Sequence, residues 1–116
     1  NQPTPKRCFN LGQQIRQAVE SWPNDKRIGI VASGGLSHFT VDEDLDNSVM
    51  VALQSKSFSD LCSIPKNKLN SGNSEIRNWI CMAGACEGLD LKFMEYYPAY
   101  RTPAGTGTGL CFAHWE

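Results

Sequence analysis

Hydrophobic residues between Asn10 and Trp22 fall at Leu11, Ile15, Ala18, Val19 and Trp22, with glutamine, arginine and glutamate on the opposite side. That spacing predicts an amphipathic helix, which Pro23-Asn24-Asp25 stops. The next apolar run, Ile28, Ile30, Val31 and Ala32, is short and partly β-branched, which suits a strand over 27–32 buried on both faces. Gly34 and Gly35 then let the chain turn sharply at the strand's carboxyl end. A second helix opens at Asp42-Glu43-Asp44, whose carboxylates suit the helix dipole, and buries Leu45, Val49, Ala52 and Leu53. A short helix at 57–63 uses Phe58 and Leu61, and Pro65 to Gly72 reads as a polar connector.

The clearest helix is 74–87, capped by Asn73 or Ser74, with Ile76, Trp79, Ile80 and Ala83 inward and Gly88 at its end. Leu89, Leu91 and Phe93 alternate with polar residues as a strand does, continuing toward Tyr97. A glycine-rich loop at 101–109 leads into a last apolar strand, Leu110 to Trp115. The order is therefore helix, strand, three helices, strand, loop, strand. This predicts an α/β chain of about three strands and four helices, part of a three-layer α/β/α sheet. The apolar content is generous for so few strands, so a segment of a larger domain is expected, with residues 1–9 as an extended polar lead-in.

Charge narrows the partners. Among 116 residues, 11 are basic and 12 acidic, for a formal net charge of -1. No basic field exists to hold a phosphate backbone, so nucleic acid is not expected as a partner. No apolar run approaches the ~20 residues that span a bilayer, and no signal-peptide pattern opens the chain. A cytoplasmic protein without a membrane partner is the expectation. Five cysteines, an odd number set among apolar neighbours, argue for reduced core thiols over a disulfide framework. Cys81 and Cys86 have no second cysteine or histidine pair nearby to complete a zinc site.

Candidate chemistry centres on Ser33-Gly-Gly-Leu-Ser-His38. Open α/β sheets bind ligands at the carboxyl ends of their strands, which makes Ser33, Gly34, Gly35, Ser37 and His38 candidates for site residues. An imidazole there can act as general base, general acid or metal ligand, although a glycine-flanked histidine can equally be structural. His114, inside the terminal strand, reads as a packing residue. Glu75 follows the glycine-containing loop Ser71 to Ser74 and could offer oxygen to a divalent metal, while the same position in a first helical turn favours a carboxylate for helix stability alone. The loop at 101–109 lacks the strand-loop-helix and lysine of a phosphate loop and reads as a substrate-facing loop or plain hairpin. Ser33-Gly-Gly lacks the Gly-x-Ser-x-Gly elbow of a serine nucleophile.

Taken together, Ser33-Gly-Gly-Leu-Ser-His38, the Gly72-x-x-Glu75 helix start running into Trp79, and Met82-Ala-Gly-Ala85 resemble the carboxyl-terminal part of the class III extradiol ring-cleavage dioxygenases, the protocatechuate 4,5-dioxygenase catalytic-subunit family. The ending, Tyr100-Arg-Thr-Pro-Ala-Gly-Thr-Gly-Thr-Gly109 with Phe112-Ala-His-Trp115, resembles gallate-type members. The resemblance implies a non-haem Fe(II) site of two histidines and one glutamate, with open positions for a catecholic substrate and O2. Glu75 matches the carboxylate ligand. His38 matches the acid-base residue that takes a proton from a catechol hydroxyl and returns it during ring opening. Arg101 and Thr102 are candidate contacts for a substrate carboxylate or hydroxyl.

Nothing in the chain corresponds to the two histidine ligands, which belong to the family's amino-terminal half. The resemblance therefore implies a chain that is active when joined to that missing half, as an expected oligomer. The alternative is a non-catalytic α/β domain of the same fold, serving assembly or small-ligand binding.

Overall fold

The first helix begins earlier than its apolar stripe implies. In the computed structural model, which describes residues 2–116, it runs Pro5–Ser21 (α1). Most of the expected lead-in is therefore helical. The reason is local: Thr4 caps the helix by accepting a hydrogen bond from the Arg7 amide, and Pro5 sits in the first turn, where its missing N–H goes unneeded. Three further α-helices follow at Glu43–Gln54 (α2), Phe58–Cys62 (α3) and Ile76–Ala85 (α4). Two 3-10 turns, Lys66–Leu69 and Ser71–Glu75, organise the connector between α3 and α4.

The strands are His38–Thr40 (β1), Leu91–Tyr100 (β2) and Thr106–Trp115 (β3). They form one antiparallel sheet in the order β1-β3-β2, with β2 and β3 joined as a hairpin. Three strands and four α-helices give the mixed α/β class expected. The identity of one strand differs: residues 27–32 form no strand, and β1 opens at His38. Ile28 is exposed and Val31 is 89% exposed, so this run is not buried on both faces. A strand needs a neighbour for its backbone groups, and 27–32 has none among the described residues. Instead, Ile30 to Gly34 line one side of a cavity of about 500 Å³, faced by Trp79 and Met82 of α4, by Cys86 just past its end and by Cys111 to Trp115 of β3.

The core lies between the helices and one face of the hairpin. Leu45, Val49, Ala52 and Leu53 of α2 share one core with Ile76, Trp79, Ile80 and Ala83 of α4, with Leu36, Leu61 and Leu69 wholly buried in it. Gly12 and Gly84 let α1 and α4 cross closely, because a Cβ on either would overlap backbone of the other helix. Arg77, buried, donates to the Leu69 carbonyl at 2.6 Å and the Pro3 carbonyl at 2.8 Å, tying the amino terminus to the connector. On β3, Gly109 and Cys111 turn inward while Leu110, Phe112 and His114 turn outward. Phe93, Tyr97, Leu110 and Phe112 thereby leave an exposed apolar face on the hairpin.

One irregularity shapes the segment before β1. The Leu36 amide donates to the Gly109 carbonyl, and the Gly109 amide donates to the Ser37 carbonyl, each at 2.8 Å. Two residues thus oppose one, a β-bulge, and the Ser37 amide is left free of the ladder. No helix is long and apolar enough to cross a membrane among the described residues.

Candidate active site

His38 and Glu75 come together although 37 positions apart in sequence is no local distance. The His38 Nε2 lies 3.1 Å from Glu75 Oε2, with side-chain exposures of 20% and 43%. Each is held by backbone. His38 Nδ1 lies 2.9 Å from the Leu36 carbonyl oxygen, which can only accept, so Nδ1 carries hydrogen and Nε2 faces the carboxylate. The His38 amide donates to Asn73 Oδ1 at 2.7 Å, and Asn73 Nδ2 donates to the Lys68 carbonyl at 3.2 Å. Gly72 has no side chain for a reason: a Cβ there would collide with His38 Cβ. The Gly72-x-x-Glu75 spacing therefore seats the histidine and supplies its carboxylate neighbour from one turn.

Glu75 stands at the N-cap position of α4 yet makes no side-chain cap bond. Its Oε2 instead accepts from the Gly35 amide at 2.8 Å and meets His38. The Gly34 carbonyl accepts from Trp79 Nε1 at 3.0 Å, and the Ser33 carbonyl from Asn78 Nδ2 at 2.7 Å. Ser33, Gly34 and Gly35 thus run along the start of α4 by their backbone, joining His38 and Glu75 in one cluster. Arg101 and Thr102 are not brought there. Both are exposed in the β2–β3 turn, where Thr102 Oγ1 pairs with Thr106 Oγ1 at 2.7 Å. The cavity beside His38, about 520 Å³, is lined by Asp42, Glu43, Asp44, Asn73 and Tyr100 together with Thr40 and Val41. His114 lies on β3 opposite Phe93, six residues along that strand from Thr108, the partner of His38.

Behind His38 stands a buried network centred on Asp46. The Ser37 amide donates to Asp46 Oδ1 at 2.8 Å, and the Ser37 and Tyr96 hydroxyls donate to Oδ2 at 2.7 Å each. Burial, then the Asp46 carboxylate, pushes the Tyr96 phenol well above its ordinary value. The same two causes push the Cys111 thiol up to about 11. Asp46 and Tyr96 were not singled out from the sequence, and Asn73 reads there only as a helix cap, a position that Glu75 holds instead. Asp46 had a signal: it lies three residues before Val49 and seven before Leu53, on the inward stripe of α2.

As a metal donor, Glu75 offers hard oxygen at a partly exposed position, and Gly34 passes so close that a Cβ there would lie 2.9 Å from Oε2. That suits one oxygen ligand of a divalent metal. No group of three or more His, Cys, Asp or Glu side chains that could hold a metal occurs among the described residues.

Residues 1–111 match the family described as the catalytic LigB subunit of aromatic ring-opening dioxygenase. The chain belongs to that family. Over 36 residues it is 56% identical to gallate dioxygenase of Pseudomonas putida, a stretch that covers 31% of this chain and 11% of that enzyme. The matched stretch is thus a small part of the relative's length.

Proposed function

We propose that this chain is the carboxyl-terminal part of a non-haem Fe(II) extradiol dioxygenase that opens the ring of a catecholic aromatic acid with O2. In this reading His38 is the acid-base residue and Glu75 is one iron ligand, with two histidine ligands supplied by an amino-terminal half. The observation that carries it is the 3.1 Å approach of His38 Nε2 to Glu75 Oε2 within a member of a ring-opening dioxygenase family. Fe(II), when bound, supplies Lewis acidity and open positions for substrate and O2.

The chain's own residues then have separate tasks. The Leu36 carbonyl engages Nδ1, which leaves Nε2, on the side of Glu75, as the ring nitrogen facing the site. Nε2 takes a proton from a substrate hydroxyl and returns it as the ring opens. Asn73 holds the His38 backbone amide, Gly72 leaves room for the His38 side chain, and the Gly35 amide orients Glu75. The backbone of Ser33 to Gly35 borders the substrate. Five free thiols support a reducing, cytoplasmic setting.

The test is oxygen uptake by the completed subunit loaded with Fe(II), using gallate and a simple catechol as probes. Stoichiometric O2 consumption with a ring-opened acid product is expected. Iron-loaded, folded protein that consumes no O2 with either probe would sink the reading and leave a non-catalytic member of the family.

A further inference from the structure

We propose that Asp46 is a positioning residue for His38, a buried carboxylate that clamps the Ser37 peptide so that the imidazole faces Glu75. This rests on the reading of His38 as the acid-base group.

Asp46 is wholly buried, and no ion pair reaches it among the described residues. A buried carboxylate without a cation must be satisfied by hydrogen bonds. Asp46 accepts three, and two of them come from Ser37, the residue next to His38. The Ser37 amide is available only because the bulge removes it from the sheet ladder. Gly109 closes the seat: a Cβ there would overlap Asp46 Oδ2 and lie 3.0 Å from Ser37 Oγ. Ser37 Oγ also accepts from the Asp42 amide at 3.0 Å. Ser37 is thereby tied to α2 and β3, and through Asp46 to Tyr96 of β2, and the next side chain along is the imidazole.

Helix capping does not account for Asp46. Asp42 already caps α2, its carboxylate accepting from the Leu45 amide at 3.0 Å, and the helix needs no second carboxylate facing inward. Asparagine at 46 keeps the size and the Oδ1 acceptor but sets an NH2 group against the Ser37 and Tyr96 hydroxyls. The Ser37 hydroxyl then loses its carboxylate acceptor, and the clamp on the residue before His38 is weakened to the amide bond alone.

In the completed, Fe(II)-loaded enzyme, Asp46→Asn is expected to lower kcat ~10- to 100-fold, the scale of a misplacement of about 1 Å, with iron content kept and KM little changed. Tyr96→Phe, which removes a single donor to the same oxygen, should cause a smaller loss in the same parameter. In a His38→Ala background Asp46→Asn should cost nothing further, since a residue acting through His38 has nothing left to position. An equal loss in both backgrounds overturns the proposal. Should Asp46→Asn not fold, the same comparison with Tyr96→Phe decides.

Amide hydrogen exchange separates this proposal from the dioxygenase reading. Even in a protein that turns over no catechol, Asp46→Asn should speed exchange at Ser37 and His38 while α4 and the β2–β3 ladder stay protected. Unchanged exchange at those two amides, or a uniform rise along the chain, would count against it.

Discussion

His38 and Glu75 differ in what they should do when removed, and that difference tests their roles. His38→Ala should slow ring cleavage ~10²- to 10⁴-fold while iron stays bound, as loss of an acid-base group does. Oxygen uptake paired with metal analysis checks it, and loss of iron would reassign His38 as a ligand. Glu75→Ala should abolish iron binding, read as metal content after gel filtration; full occupancy would leave Glu75 as a residue that orients Gly35 and His38. Glycines near both residues drew attention to them, although the strand over 27–32 that was to deliver His38 does not form, and the structure gives a physical cause at Gly72, where the His38 side chain fills the space of a Cβ. Asp46 and Asn73 were harder to see. Their work is to satisfy main-chain and hydroxyl groups brought from distant segments, and no periodicity announces such a partner.

Among the elements, α2 followed its apolar spacing, since an amphipathic stripe needs only a core to lie against, whereas α1 buries Pro5, Cys8, Phe9 and Gly12 and leaves Leu11 exposed. α2 buries Leu45, Val49, Ala52 and Leu53 as expected. The glycine-rich loop at 101–109 resolved into a hairpin turn with β3 already under way at Thr106, one of the two forms anticipated. The run 27–32 has the composition of a strand, but pairing is a property of two segments, and sequence shows only one of them. The α1–α4 crossing carries a prediction of its own. Gly12→Ala and Gly84→Ala should each lower stability by ~1–3 kcal/mol through overpacking of backbone against backbone, measured by denaturant unfolding. A variant as stable as the parent would mean that the helices separate freely.

For the whole molecule, the resolved shifts among titrating groups share one sign. The thiols of Cys8, Cys62, Cys81, Cys86 and Cys111 are all raised, mainly by burial, and so is the Tyr96 phenol. Between the ordinary thiol value of 9.0 and the Cys111 value of about 11, the unfolded chain has released protons that the folded chain still holds. The stability these thiols contribute should therefore be intact below pH ~9 and fall as pH rises toward 11. Cys111→Ala should flatten part of that slope in thermal unfolding scans across alkaline pH. The exposed hairpin face of Phe93, Tyr97, Leu110 and Phe112 should also drive association of the isolated 116-residue chain. Sedimentation velocity checks this, and a monomer at all concentrations would weaken the case for a missing half. The bulge at Leu36 and Ser37 sets a limit on chain length itself. The Gly35 amide and the His38 ring reach Glu75 from either side of that extra residue. Deleting one residue there would heal the ladder but rotate one of the two contacts to the far face of the sheet, so this stretch should tolerate changed side chains more readily than a changed count.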